Sequence, residues 1–418
     1  MAGLTKGYRG LNTQALARML HVGELPESAI RELPAQSLYM ALKHNGISAS
    51  PDVIELGTDT QCKLMLDMDL WQRDRFYEEN LWEWLAASDE TNQLAALQKI
   101  LRVIDLKLVA LLISRHVNFI QFDDPTENPP GPGHYTPDKG HTWINIHTED
   151  ADKHFLLGRF LALVFETSAD LFYKLLALSE VETESNLEEV AYQDKEKRLS
   201  SESIPDLAFA HEINAPAHEA QIRALLEAAE PHSRAKDLPI VEPLIYEGHV
   251  LQPLHTFFDA LGRSDAIEGE LTLLVNAALV RFSVEFYNHE QVFETIRKVR
   301  GALNIGLEVA QTLGERSFQD LYHSLALKKI YALGLERLYK LRAEAQKIHL
   351  DEERADQTWL IALEAAKADF PCMPDFLQSD GTIASDHGKV SPKLRSIEHV
   401  AEIECIRKFL LTGAAATF

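Results

Sequence analysis

Apolar residues recur at spacings of three and four over the first part of the chain, as Leu38, Ala41 and Leu42 do. This is the period of an amphipathic α-helix. Most such segments begin near Ser, Thr, Asn, Asp or Pro, which favour helix N-caps and first turns. Short helices cannot each bury a face alone, so they must stack on their neighbours. The pattern predicts an array of short helices over 1–116. The segments are NTQALARMLH, PAQSLYMALKHNG, SPDVIELG, DTQCKLMLDMD, EENLWEWLAAS, NQLAALQKILRV and DLKLVALLISRH.

The period changes to two after residue 116. VNFIQFDD at 117–124 alternates between apolar and polar residues, and HYTPDKGHTWINIH at 134–147 alternates again. The run PTENPPGPG separates them, and PDKG has the composition of a tight turn. We therefore predict a β-hairpin or small three-stranded sheet around 117–147, set in an insertion at 117–149 between helical regions.

Helical spacing returns at Asp150 and predicts a helical segment over 150–204. The next stretch, 205–249, contains Pro205, Pro216, Pro231, Pro239 and Pro243, and we interpret it as a Pro-rich connecting segment. Residues 250–418 are predicted to form a C-terminal bundle of longer helices. Its helices are expected at 269–289, 292–313, 316–349, 353–370 and 395–411, the third bent near Gly334. The predicted fold class is mainly α.

The composition agrees with an ordinary globular chain, with 46% hydrophobic and 25% charged residues. The longest apolar run, LTLLVNAALV at 271–280, is about half of the ~20 residues that cross a bilayer. The N-terminus lacks the apolar stretch of a secretory signal. Three cysteines, far apart and odd in number, argue against a disulfide framework and for a reducing compartment. We expect a cytoplasmic protein without a membrane partner.

The net charge is strongly negative: 41 Lys and Arg against 64 Asp and Glu give 41 − 64 = −23. Such a chain repels phosphate backbones, and no run of basic residues marks a nucleic-acid site, so we expect no direct binding to nucleic acid. Two interpretations remain. The acidity serves solubility, or it offers an acidic surface to a basic partner protein.

Five blocks of the sequence carry a resemblance: QSLYMALKHNGI, TDTQCKLMLDMDLWQRDRFYEENLWEWLA, LNIGLEVAQTLG, LKKIYALGLERLYKLRAEAQKI and LRSIEHVAEIECIRKFLL. Together they resemble an uncharacterised bacterial family of mostly helical proteins, catalogued as a domain of unknown function. The blocks occur in the family's order and span most of the chain. The resemblance implies a helical protein and supplies no catalytic residues. Members are expected to continue beyond LLTGAAATF, which implies a shortened or divergent C-terminus here.

Histidines cluster in the predicted sheet at His134, His141 and His147, with His154 soon after. On an extended strand, His141 and His147 share a face but lie roughly 20 Å apart. The ligand nitrogens of one metal ion lie within ~4 Å of each other. We therefore predict no shared metal site, and we expect exposed or aromatic-stacked histidines instead.

Other catalytic patterns are absent from the sequence. In HEINAPAH, His211 and His218 are seven apart rather than four, and Pro216 interrupts the helix that a zincin motif needs. No phosphate-binding glycine loop or nucleophile elbow occurs, and no cysteine has an activating neighbour. We expect no catalytic residue, cofactor or metal. Four carboxylates are interpreted as helix ends, turns, solvated edges or a local ion-pair corner: Asp67, Asp69, Asp123 and Asp124.

Exposed aromatic side chains are good anchors for protein partners. Trp82 and Trp84 cannot share one helix face, so we expect one of them in the core and the other partly exposed. Tyr135 and Trp143 are expected to project together from the tip of the sheet, near His141. The predicted partner-binding residues are Tyr135, His141, Trp143 and Trp82.

Two functional hypotheses follow. The first is a non-enzymatic scaffold or regulator that binds proteins through helical grooves, the hairpin at 117–147 or the Pro-rich segment at 205–249. Its acidic surface would suit a basic partner, such as a transcription factor held away from DNA. The second is an enzyme of unrecognised type with a polar or metal-binding pocket between the helical regions. Stoichiometric metal in the purified protein would favour the second. Its candidate residues are His134, His141, Asp123, Asp124, His211 and Glu212.

Overall fold

A computed structural model describes residues 13–49, 51–90, 94–228, 251–262, 264–314, 316–348, 357–377 and 393–415. Within these ranges the chain forms twenty α-helices and three sheets of two or three short strands. The prediction of a mainly α fold is confirmed. The chain divides into two compact units, Met1–Ser201 and Glu202–Phe418. Across the described residues, no helix combines the length and the apolar character that a membrane crossing requires.

The first unit begins with the predicted array of short helices. Every predicted segment contains a helix, and Glu27–Glu32 adds one that the pattern did not indicate. Thr58 shows why the fifth helix begins where predicted, because its hydroxyl accepts the N–H of Gln61 at 3.1 Å and the Gln61 side chain accepts the N–H of Thr58 at 2.7 Å. The helices are α1 (Thr13–His21), α2 (Glu27–Glu32), α3 (Ala35–Asn45), α4 (Pro51–Leu56), α5 (Asp59–Asp69), α6 (Glu78–Glu90), α7 (Leu94–Val103) and α8 (Leu106–His116).

Two small antiparallel sheets belong to this unit. The first is a short hairpin between α5 and α6, made of β1 (Trp71–Gln72) and β2 (Arg75–Phe76). The second is three-stranded, which is one of the two arrangements that the pattern predicted, and it consists of β3 (Val117–Gln121), β4 (His134–Tyr135) and β5 (Thr142–Ile146). Its order is β3-β5-β4, so β5 is central and β3 lies at an edge.

Three helices complete the first unit: α9 (Ala151–Thr167), α10 (Ala169–Val181) and α11 (Glu184–Ser201). Ser168 separates the first two because its backbone is extended, and its hydroxyl accepts the N–H of Leu171 at 3.2 Å to cap α10. Ile146 of β5 packs beside Gly158 of α9, which places the buried face of the sheet against this helix.

The second unit contains the predicted bundle of longer helices. The three longest are α15, α16 and α18, and two short strands, β6 and β7, pair antiparallel near its end. Its elements are α12 (Leu207–Ile213), α13 (Glu219–Ala228), α14 (Leu254–Leu261), α15 (Asp265–Arg281), α16 (His289–Thr312), α17 (Phe318–Ser324), α18 (Leu327–Gln346), α19 (Gln357–Lys367), β6 (Cys372–Pro374), β7 (Leu394–Ser396) and α20 (Val400–Ala415).

The predicted connecting segment is partly wrong. Its first half is folded into α12 and α13, which bury Ala210, Ile213, Ile222 and Leu226 in the unit. Apolar residues at helical spacing therefore outweigh Pro205 and Pro216, which lie between the helices rather than inside them. The rest of that segment, 229–249, lies outside the described residues.

The single helix predicted over 316–349 is also wrong, because α17 and α18 are separate helices. Leu325 is extended at the break, and the carboxylate of Glu270 on α15 accepts the N–H of Leu327 at 2.7 Å, which caps α18. The helix then continues without interruption through Gly334. Gly334 instead allows close packing, since a Cβ there would overlap the Ala302 carbonyl oxygen on α16.

Candidate functional site

Strand β3 bonds to the rest of its sheet along one side. The N–H of His147 donates to the carbonyl of His116 at 3.0 Å, and the N–H of Phe122 donates to the carbonyl of His141 at 2.8 Å. Hydrogen-bonded and non-bonded pairs alternate along an antiparallel ladder. The even-numbered residues of β3 therefore direct their backbone groups toward β5.

The odd-numbered residues of β3 direct their backbone groups away from the sheet. These are Val117, Phe119 and Gln121. The N–H of Val117 donates to the carbonyl of Ile113 at the end of α8. In the described part of the chain, no hydrogen bond closes the outward backbone groups of Phe119 and Gln121. An edge with unpaired N–H and C=O groups is a template on which another extended chain can pair.

The side chain that stands out on this edge is Ile120, which is 42% exposed. Its cross-strand partner Trp143 is only 6% exposed, and its indole N–H donates to the hydroxyl of Thr126 at 2.9 Å. The loop after β3 thus covers Trp143 but leaves Ile120 open. The edge consequently presents a β-branched apolar side chain beside its unpaired backbone groups.

Three carboxylates follow β3 directly: Asp123, Asp124 and Glu127 are all exposed. Among the described residues none of them has an ion-pair or hydrogen-bond partner. The range 117–149 contains five acidic residues and a single basic one, Lys139. The open edge therefore runs into a region of uncompensated negative charge.

The acidic loop is held against the turn that precedes β5. The N–H of Thr126 donates to the carbonyl of Gly140 at 3.1 Å, and Gly140 has a φ of +99°. A side chain at Gly140 would overlap the Thr126 carbonyl, which makes glycine necessary there. The loop is thus fixed at its middle rather than suspended between strand ends.

Asp138 organises this turn. Its carboxylate accepts the N–H of Thr142 at 2.7 Å, the hydroxyl of Thr136 at 2.9 Å and the hydroxyl of Tyr173 at 2.8 Å. Burial disfavours the charged form, but these hydrogen bonds outweigh it and lower the pKa of Asp138 below its ordinary value. The turn that holds the acidic loop is therefore itself anchored to α10.

The start of β3 is anchored by Glu78 on α6. Its Oε1 lies 2.6 Å from Nε2 of His116, and its Oε2 accepts from Arg115 at 3.0 Å. The indole N–H of Trp82 donates to the same carboxylate at 3.1 Å. Burial disfavours the charged form, yet these partners lower the pKa of Glu78 to about 2.

We predict that Glu78 makes the stability of the first unit sensitive to acid. Because its folded pKa of about 2 lies below the ordinary 4.5, its contribution is full above pH 4.5 and is lost as the pH falls toward 2. The free energy of unfolding should therefore fall more steeply over this range in the natural chain than in Glu78→Gln. Parallel curves for the two proteins would contradict this role.

The structure places the four predicted partner-binding residues differently from expectation. Trp82 is only 4% exposed and Trp84 is fully buried, so the prediction that one of them is partly exposed is wrong. Trp143 is buried under its loop. The hydroxyl of Tyr135 is buried without a hydrogen-bond partner among the described residues, and burial raises its pKa to about 12. Of the four, His141 is exposed.

The histidines of the sheet contact backbone oxygens. Nδ1 of His134 lies 3.1 Å from the Gly131 carbonyl, and Nε2 of His147 lies 3.1 Å from the Arg115 carbonyl. His141 and His154 are exposed. Throughout the described ranges, no group of three or more His, Cys, Asp and Glu side chains is placed to hold a metal ion.

Asp67 and Asp69 lie in the last turn of α5, in agreement with their interpretation as helix-end residues, but both are buried rather than solvated. Asp67 accepts from two nitrogens of Arg198 at 2.6 and 2.8 Å, which ties α11 to α5. Asp69 accepts from Tyr39 at 2.8 Å and from Trp84 at 2.7 Å, and it pairs with Lys43. Both carboxylates hold helices together. Asp123 and Asp124, in contrast, are solvated as expected.

In the second unit, His211 and Glu212 lie on the short helix α12 and are exposed. Glu212 pairs with Lys328 at 2.8 Å, and that contact lowers its pKa. His218 lies beyond the end of this helix, just before α13 begins. The predicted interruption near Pro216 is therefore present.

A further polar cluster, which the sequence did not indicate, holds the start of α20. The Oε1 of Glu308 lies 2.7 Å from Nδ1 of His399, and its Oε2 accepts the N–H of Val400 at 2.8 Å. The contact to Glu308 raises the pKa of His399. The fully buried Asn304 donates to the carbonyls of Gln252 and Glu398. These two partners lie 52 and 94 residues from Asn304 along the chain, so no local spacing could have indicated the cluster.

A comparison with known families identifies the family of the chain. The model of a family of unknown function, DUF6178, matches residues 9–381. The chain belongs to this family. The DUF6178 match includes the β3 edge, the acidic loop and the elements from α1 to β6, and it ends before β7 and α20. No curated protein and no solved structure matches the chain.

Proposed function

We propose that the chain is a non-enzymatic interaction protein, a scaffold or regulator, that binds an extended and positively charged segment of a partner protein along β3. The observation that carries this proposal is the open side of β3, where Phe119 and Gln121 direct outward backbone groups that have no hydrogen-bond partner among the described residues. Backbone hydrogen bonds to such an edge supply affinity, and pockets or charges beside it supply specificity.

The charge of the region favours a basic partner. Asp123, Asp124 and Glu127 lack ion-pair partners in the described ranges and lie at the end of the same strand. The whole chain carries a net charge of −23. Charges of one sign steer an oppositely charged partner during association, and salt screens this attraction. A DNA-binding or transcription factor held away from DNA has the required chemistry, whereas nucleic acid itself does not.

The cytoplasm is the compartment that we propose for this activity. The three cysteines lie in the described part of the chain, where they are buried and form no disulfide bond. Burial raises the pKa of the Cys62 thiol to about 11, and it also raises the pKa of Cys372. Unreactive thiols outside disulfide bonds are typical of proteins that work in a reducing environment.

The enzyme hypothesis has less support. Of its six candidate residues, four lie in the region of the three-stranded sheet and two lie on α12 in the other unit. Within the described ranges, no hydrogen bond or ion pair joins any of the six to another. The hypothesis remains open to the metal analysis of purified protein, where stoichiometric zinc, iron or manganese would revive it.

Substituting proline at Gln121 tests the proposal with little damage to the fold. The N–H of Gln121 points away from β5 and its side chain is exposed, and proline is tolerated at such edge positions. We expect Gln121→Pro to lose most of the partner protein that the tagged natural chain captures from its host's lysate, because one outward donor is missing and the ring obstructs pairing.

The matched control is Gln121→Thr, which keeps the N–H and favours strand structure. It should capture the same protein at the natural yield. Both variants should have the natural circular dichroism spectrum and melting temperature within a few degrees. Equal capture by Gln121→Pro and Gln121→Thr would overturn the proposal, because capture would then be independent of the β3 edge.

A further inference from the structure

We infer that the partner segment pairs antiparallel with β3 and carries two basic residues about three and four positions before an apolar residue. This inference rests on the proposed function and names the chemistry of its partner. Three observations determine the pattern: the direction of pairing in the sheet, the register that the open groups impose, and the position of the carboxylates beyond the strand.

The direction follows from the existing sheet. Both pairings of β5, with β3 and with β4, are antiparallel. Antiparallel pairs have straighter hydrogen bonds and are slightly more stable per residue than parallel pairs. A short incoming segment with few hydrogen bonds is expected to use the more stable arrangement. Its chain then runs from the Gln121 end of β3 toward the Val117 end.

The register of the incoming segment follows from the outward backbone groups of β3. Phe119 and Gln121 form the hydrogen-bonded pairs with the incoming segment, so the incoming residue opposite Ile120 lies between them in a non-bonded pair. Side chains in such pairs are directly opposed and close, on the same face of the sheet. An apolar residue at this position covers the exposed Ile120 side chain and removes it from water.

The positions of the two basic residues in the partner segment follow from the same register. Asp123 lies 123 − 120 = 3 positions beyond Ile120, and Asp124 lies 124 − 120 = 4 positions beyond it. Because the partner runs antiparallel to β3, its residues opposite Asp123 and Asp124 lie three and four positions before its apolar residue. The ladder of β3 continues to Phe122, and the long side chains of Lys and Arg can reach across the remaining distance to both carboxylates and to Glu127.

A displayed library of random twelve-residue peptides tests this inference on the full chain. Peptides are selected on the natural protein and counter-selected on Gln121→Pro, and the survivors are sequenced. We expect the survivors to share two Lys or Arg residues about three and four positions before Val, Ile, Leu, Phe or Tyr. Binding of the tightest survivor should weaken about tenfold when Asp123→Asn, Asp124→Asn and Glu127→Gln are combined.

The control for charge removes the same number of negative charges elsewhere on the first unit. It combines Glu166→Gln, Asp170→Asn and Glu180→Gln, three exposed positions on α9 and α10. It should change binding less than twofold. Survivors that need Gln121 but have the reverse order, or no excess of basic residues, would overturn the inference and leave the proposed function standing. If the selection yields no peptide that binds the natural chain more tightly than Gln121→Pro, both the inference and the proposed function are overturned.

Discussion

Gly334→Val should destabilise the second unit by about 3 kcal/mol or more, because the two central helices contact each other backbone to backbone. A Cβ at Gly334 would overlap the Ala302 carbonyl on α16, and a Cβ at Gly306 would overlap the Ile330 carbonyl on α18. Neither obstacle is a flexible side chain that could turn away. The helices would have to separate, which opens the core that they share.

Urea denaturation combined with hydrogen exchange of the α16 and α18 amides measures this effect, since the chain has two units and need not unfold in one step. Gly158→Ala is the matched control. Gly158 also lies inside a helix, but a Cβ there would meet only the Ile146 side chain at an ordinary 3.6 Å. Gly158→Ala should raise the free energy of unfolding by about 0.5–1 kcal/mol. Equal effects at Gly334 and Gly158 would contradict the close crossing.

Asp69→Ala is expected to lower the free energy of unfolding of the first unit by about 3–5 kcal/mol. The carboxylate is fully buried and accepts from Tyr39 and Trp84, and its charge compensates Lys43. Alanine would remove the carboxylate acceptor from two buried donors and leave the ammonium without its nearest counter-charge. Removing one member of a buried charged pair costs more than the pair contributes, because the remaining charge stays desolvated.

Asp59→Ala provides the comparison on the same helix. Asp59 pairs with Arg102 at 3.2 Å, but its side chain is 58% exposed. Exposed pairs contribute about 0.2–1 kcal/mol, so the midpoint of urea denaturation should move only slightly. A comparable loss in the two variants would show that burial does not distinguish these carboxylates and would contradict the role of Asp69.

Local signals explain which parts of this fold could be predicted. Helix α5 begins and ends at its predicted residues, because Thr58 and Gln61 form a capping box that is readable in the sequence. The three-stranded sheet was equally readable, since a period of two and a Pro/Gly loop are local features. The break before α18 was not, because the cap comes from Glu270, more than fifty residues earlier.

The candidate site likewise has parts that local patterns predict and parts that depend on distant residues. The sheet and its acidic loop could be anticipated from strand alternation and from the sequence after β3. The burial of Trp143 could not, because it depends on the hydroxyl of Thr126 across the loop. Nor could the burial of Asp69, whose partner Tyr39 lies thirty residues away. Strand order decides which backbone groups stay open, and no pattern within β3 itself contains that order.

Amide hydrogen exchange of β3, with and without the tightest selected peptide, tests the central claim most directly. In the free chain, Phe119 and Gln121 should exchange quickly, whereas Asn118 and Ile120, bonded to β5, should exchange slowly. Binding should slow exchange at Phe119 and Gln121. If these two amides are protected in the free chain, or remain fast while the peptide is bound, β3 is not the edge that receives the partner.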